Sequence, residues 1–184
     1  MRTKFILHGG FTPGEKQEND AFLKEILSTA PKEAKILLVY FAKEVDRVPK
    51  NRDEDIEQFN KNKRDKTLLF ETASEELFSE QVQKSDIIYL HGGHSDKLLK
   101  TLKKFLNLRQ LFKGKIIAGD SAGANVLVSV FYSKSMGVSE GFGLIPIKII
   151  CHYSEDNKDK LNDIKPDMEI LFLPEYQFKV FYSE

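Results

Sequence analysis

Ser121 stands in the run Ile116-Ile117-Ala118-Gly119-Asp120-Ser121-Ala122-Gly123-Ala124-Asn125, a G-x-S-x-G pattern between an apolar stretch and a helix-forming one. Small residues on both sides of the serine let a strand and a helix meet at a tight, strained turn. The hydroxyl then projects from the end of the sheet, and the helix N-terminus favours negative charge beside it. This reads as a nucleophile. The amide of the next residue, Ala122, can donate to an oxyanion. A second glycine turn, His91-Gly92-Gly93-His94-Ser95, closes another apolar run, Ile87-Ile88-Tyr89-Leu90. Ligand sites of parallel sheets gather at the carboxyl ends of the strands. Gly92 and Gly93 free backbone amides to point there, and Gly93 is the expected second oxyanion donor. Gly92, His94 and Asp120 flank these donors and are the expected substrate contacts.

A serine nucleophile needs a base. The chain has four histidines, His8, His91, His94 and His152. His152 follows the strand-like Lys148-Ile149-Ile150 and comes after the serine, the chain order used by α/β hydrolases, so it is the expected base. Cys151 beside it reads as a small buried filler rather than a nucleophile. A metal hydrolase using the four histidines is a weaker alternative, because no spacing here is a recognised metal signature. No metal and no cofactor are expected.

These residues need a scaffold. Phe5-Ile6-Leu7 predicts a first strand, ended by Gly9-Gly10 and Pro13-Gly14. Residues 16–30 carry apolar side chains at helical spacing up to Pro31. The unbroken run 36–41 predicts a strand buried on both faces. The charged stretch 43–66 predicts a solvated helix held by Ile56 and Phe59. Thr67 to Phe70 predicts a third strand, and Thr72 with Glu75 predicts a capping box opening a helix through Val82. A leucine-rich helix is expected after His94, a strand over 115–118, and a helix from Ala124 to about Phe131. Residues 148–150 and 170–173 are later strands. Strands alternating with helices predict a mostly parallel sheet with helices on both faces, a three-layer α/β fold in one domain over residues 1–184.

Length and composition agree with that scaffold. The chain has 184 residues, 41% hydrophobic and 30% charged, a globular balance rather than a disordered one. Lys+Arg and Asp+Glu number 28 each, which argues against a general electrostatic grip on nucleic acid or an anionic membrane. Cys151 is the only cysteine, so no intrachain disulfide can form. No signal-like segment and no long apolar run occur, so a cytoplasmic location is expected.

Several motifs in order resemble the peptidase E family, which includes aspartyl dipeptidases and, more distantly, cyanophycinase. They are Gly92-Gly93-His94-Ser95 before Leu98-Leu99, the elbow Ser121-Ala122-Gly123-Ala124, the segment Gly141-Phe142-Gly143-Leu144, His152-Tyr153, and Leu173-Pro174-Glu175. The resemblance implies a class I glutamine amidotransferase-like, flavodoxin-like fold. It also implies a Ser-His-acid triad hydrolysing short peptides, including dipeptides with an acidic N-terminal residue. The family's acid lies between elbow and histidine, and Glu140 is the only carboxylate there, which makes Glu140 the expected third member. His94 stands where the family has Asn, and Tyr176 where it has Gly. A binding or regulatory protein on the same fold is the competing reading. The chain stops after the aromatic segment 178–182, short of the family's further strands, and that predicts a homodimer or higher homo-oligomer closing an exposed edge.

Overall fold

Unbroken apolar runs such as Ile36-Leu37-Leu38-Val39 cannot leave either face in water, so they become central strands covered on both sides. In the computed structural model, which describes residues 2–11 and 19–183, that is their position. The elements are β1 (Thr3–His8), α1 (Asp20–Ser28), β2 (Glu33–Val39), α2 (Val48–Asn62), β3 (Thr67–Thr72), α3 (Phe78–Lys84), β4 (Ile87–Leu90) and α4 (Ser95–Leu102). They continue with α5 (Leu108–Leu111), β5 (Ile116–Asp120), α6 (Ala122–Leu127), β6 (Val128–Ser133), β7 (Gly137–Glu140), β8 (Ile145–Cys151), β9 (Ile170–Leu173) and β10 (Phe178–Ser183).

Among the described residues the main sheet has six strands in the order β10-β1-β5-β4-β2-β3, all parallel except β10, which runs antiparallel to β1. Alternate side chains of these strands enter two cores. Ile6, Ile36, Leu38, Ile87 and Tyr89 pack with Phe22, Leu23, Ile26 and Leu27 of α1 and Phe59 of α2. Phe5, Leu7, Leu37, Val39, Ile88 and Ile117 pack on the other face with Phe78 of α3, Leu98 and Leu102 of α4, and α6. This is the expected α/β architecture. A second sheet, β7-β6-β8-β9, stacks on the α6 side through Val128, Phe131, Ile147 and Ile149. No described helix is long and apolar enough to cross a membrane.

Some local expectations are corrected. The helix expected to run to Phe131 ends at Leu127, and Val128 turns extended (ψ 176°) to start β6. The β-branched and aromatic residues of Val128-Ser129-Val130-Phe131-Tyr132 suit a strand better than a helix. The Thr72–Glu75 capping box does not form: Thr72 ends β3, and α3 begins only at Phe78. The Gln81 side chain of α3 instead ties down the loop before the helix, accepting from the Ser74 amide and donating to the Thr72 carbonyl. Pro13-Gly14 and residues 16–18 of the expected first helix lie outside the described residues. The C-terminal segment is a strand, and it pairs along β1 from Phe178 to Ser183.

The loop between β8 and β9 is held from inside. Lys148 on β8 is fully buried, and its Nζ donates to the carbonyls of Leu161, Ile164 and Lys165 at 3.0, 2.6 and 3.1 Å. One ammonium thus satisfies three acceptors in the segment that returns the chain to β9. Lys148→Met fills the same space but strands those carbonyls, so it is expected to lower unfolding free energy by about 3 kcal/mol in urea melts. A stability within about 0.5 kcal/mol of the parent would refute this account of the loop.

Candidate active site

The carboxyl ends of β1, β4 and β5 converge with those of β8 and β9, and the expected site residues sit there. The Ser121 elbow is strained as the small-residue pattern requires: Ser121 has φ 46° and ψ −98°. Strand and helix approach so closely that a Cβ on Gly119 would lie 2.5 Å from the Gly123 carbonyl carbon. The Ser121 amide donates to the His8 carbonyl (3.0 Å), and the Ser121 carbonyl accepts from Asn125 in the first turn of α6 (2.9 Å). Among the described residues, the amides of Gly93 and Ala122 make no hydrogen bond, which leaves both N–H groups available as oxyanion donors.

His152 follows β8 directly. Its Nε2 lies 2.9 Å from Ser121 Oγ, and its Nδ1 lies 2.8 Å from Glu175 Oε1. Glu175 sits in the short loop between β9 and β10. Glu140, the acid expected from the family pattern, is corrected by this geometry: it ends β7 and reaches Lys165 Nζ at 3.4 Å, with its side chain 77% exposed. Strand β7 carries it along the outer edge of the second sheet, whereas Glu175 follows the strand next to β8. Glu175 belongs to the Leu173-Pro174-Glu175 motif, to which the sequence alone gives no role.

The other expected residues are spread over distinct places. Gly92 packs against Asp120, and a Cβ there would fall 2.6 Å from Asp120 Oδ2. His94 precedes α4 and is half exposed, 4.0 Å from Glu44. Asp120 borders the cavity at Ser121 but is 3% exposed, and its Oδ1 is held by His8 Nδ1 at 2.7 Å rather than turned outward. His91 is buried, 3.5 Å from Asp55 Oδ2. His91, His94 and His152 border one cavity with Ser121, but the described residues include no group of three or more His, Cys, Asp or Glu side chains placed to hold a metal ion.

Two cavities meet at Ser121 and His152. One, about 640 Å³, is bordered by Lys43, Arg47 and Lys50 and by Glu44, Glu54 and Asp55. The other, about 790 Å³, is bordered by Asn125, Tyr132, Lys134, Tyr153 and Glu175. Several groups bordering the first are shifted from their ordinary pKa values. Burial raises Asp55 to about 6, although the His91 charge and the Tyr40 hydroxyl, donating at 2.7 Å, both oppose the rise. Burial lowers Lys43. Burial also pushes Asp120 upward, but the His8 hydrogen bond and the charges of His8, His91 and His152 overcome it and hold the carboxyl below its ordinary range. Burial raises the Cys151 thiol, which keeps it neutral beside the serine.

A family model, peptidase family S51, matches residues 5–172. The chain belongs to peptidase family S51. No curated protein sequence matches it. Among solved structures it is similar to a peptidase from an acI-B1 Actinobacterium, at 22% identity and a TM-score of 0.72, covering 98% of this chain and 84% of that one. It is also similar to a Listeria monocytogenes EGD-e protein assigned as a peptidase E, at 18% identity and a TM-score of 0.70, covering 100% and 99%. At these identities the likeness is one of fold. This S51 member thus combines a peptidase-family fold with a serine, a histidine and a glutamate in hydrogen-bonded sequence.

Two outcomes follow from the packing. Gly10 has φ +97°, and a Cβ there would lie 2.3 Å from His152 Nε2. Gly10→Ala is expected to push the imidazole off Ser121, and a crystal structure of the variant checks it; an Oγ–Nε2 distance still near 2.9 Å would refute it. Asp55 has a folded pKa above its unfolded one, so the native state binds the extra proton between them. Its contribution therefore weakens stability as pH rises from about 4 to about 6. Asp55→Asn should flatten that part of the stability–pH curve measured by thermal melting.

Proposed function

We propose that this protein is a serine-type peptidase that hydrolyses short peptides through Ser121, His152 and Glu175. The observation that carries the reading is the relay Ser121 Oγ to His152 Nε2 (2.9 Å) and His152 Nδ1 to Glu175 Oε1 (2.8 Å). Glu175 orients the ring so that Nδ1 carries its proton and Nε2 presents a lone pair. Nε2 takes the hydroxyl proton as Oγ attacks the peptide carbonyl. The amides of Ala122 and Gly93 receive the developing oxyanion. His152 then returns the proton to the leaving amine, and water repeats the sequence to release the acyl group. No cofactor enters these steps.

Lys43, Arg47 and Lys50 in the smaller cavity support a substrate with a carboxylate near the scissile bond, and Glu54 and Asp55 support a nearby ammonium group. Dipeptides with an acidic N-terminal residue carry both charges. In this reading the enzyme works in the cytoplasm as a homo-oligomer joined along the outer edge of β10, and a monomer in static light scattering would overturn the assembly.

A fluorophosphonate probe followed by a dipeptide screen tests the chemistry. Ser121→Ala is expected to abolish both labelling and hydrolysis, and His152→Ala to cost nearly as much, because the two act as a unit. Glu175→Gln should slow turnover about a hundredfold, less than either. Glu140→Gln should stay within about twofold of the parent, since it touches only an exposed lysine. Labelling that survives Ser121→Ala would end the serine reading, and a larger loss at Glu140 than at Glu175 would end the assignment of the acid.

A further inference from the structure

His8 and Asp120 form a buried titratable pair that the relay does not use. They are register partners at the ends of neighbouring strands β1 and β5, and Asp120 immediately precedes the nucleophile. Both are buried, with His8 Nδ1 2.7 Å from Asp120 Oδ1. The His8 ring stacks on Phe22 at 4.3 Å, and its Nε2 has no hydrogen-bond partner among the described residues. An unsatisfied imidazole nitrogen and a carboxylate inside an apolar core cost stability that apolar side chains of similar volume would not. Gly92 lies against Asp120 from the β4 side: a Cβ there would fall 2.6 Å from Asp120 Oδ2, so only glycine leaves the carboxylate its space. Asp120, Ser121 and His152 all border one cavity.

We infer that Asp120 is a positioning residue for the reaction: its carboxylate, anchored by His8, supplies a second negative charge that stabilises the His152 imidazolium formed when Ser121 gives up its proton. The inference rests on the serine mechanism above. The two carboxylates near His152 divide the work by their exposure. Glu175 makes the hydrogen bond that orients the ring, but its side chain is 36% exposed and solvent screens its charge. Asp120 makes no hydrogen bond to His152 among the described residues, yet it acts through buried protein, where charge carries further. Of the other titratable groups near His152, Cys151 on β8 is kept neutral by burial, His91 after β4 is backed by Asp55 of α2, and His94 ahead of α4, 4.0 Å from Glu44, borders both cavities. Lys43 borders the Asp120 cavity, and Tyr153 and Lys134 border the one on the other side.

The test is the rate of Ser121 labelling by a fluorophosphonate as a function of pH, which reads the serine–histidine pair without a known substrate. Asp120→Asn preserves shape and removes the charge. It should label about tenfold more slowly on the alkaline plateau and shift the half-maximal pH of the acidic limb down by about one unit. An unmoved midpoint in the folded variant overturns the inference. Glu175→Gln decides independently, because its side chain is partly exposed and outside the core: it should still label well above His152→Ala, with Asp120 in place. Equal rates for those two variants would overturn the inference, and would do so even if Asp120→Asn failed to fold. A wild-type protein that does not label at all would instead overturn the serine reading itself.

Discussion

The main chain of His8, Gly9 and Gly10 is hydrogen-bonded to every segment of the candidate triad. The His8 carbonyl accepts from the Ser121 amide, the Gly9 carbonyl from the His152 amide at 2.8 Å, and the Gly10 carbonyl from the Tyr176 amide at 2.9 Å. The Gly9 amide completes the set by donating to the Gln177 carbonyl. One short stretch at the end of β1 therefore fixes β5, β8 and the β9–β10 loop relative to one another. Side chains could not occupy its two glycine positions: a Cβ on Gly9 would lie 2.0 Å from the Pro174 carbonyl oxygen, and one on Gly10 2.3 Å from His152 Nε2. The first glycine pair of the chain is thus the frame on which the serine, the histidine and the glutamate are aligned.

This frame also explains how the strained backbone persists. Ser121, His152 and Tyr176 all have positive φ, at 46°, 49° and 63°. Such conformations cost about 1–3 kcal/mol each for residues with a Cβ and survive only where surrounding structure over-determines them. Each of the three donates its amide into the β1 end, so the strain and the bonds that hold it occur at the same residues. The two sheets contribute unequally: the main sheet delivers Ser121, and the second sheet delivers His152 and Glu175. Their relative placement rests on the apolar layer of Val128, Phe131, Ile147 and Ile149 against α6 and on the β1 bonds.

The electrostatic layout is graded from surface to core. Glu175 and His152 are partly exposed, which leaves room for a substrate, while Asp120 and His8 are buried behind the serine. A cavity with both cations and carboxylates lies on one side of this line. Substrate charge would meet mobile, half-solvated groups at the rim and fixed, desolvated ones near the chemistry.

The local pattern of residues determined the strands β1, β2, β4, β5, β9 and β10, the elbow at Ser121 and the place of His152 after β8. Those features depend on short-range physics: apolar runs that must be buried, and small residues that permit a sharp turn. The change from helix to strand at Val128 was not legible in that way, because Ala124 to Tyr132 is a mostly apolar stretch with no Gly or Pro to mark a break. The acid was not legible either. Glu140 lies 12 residues before His152 and Glu175 lies 23 after it, and the family order, with the acid between elbow and histidine, pointed to Glu140. Only tertiary structure sets β9 beside β8 and sends β7 to the far edge, because strand order is decided by which apolar faces pack together and not by distance along the chain.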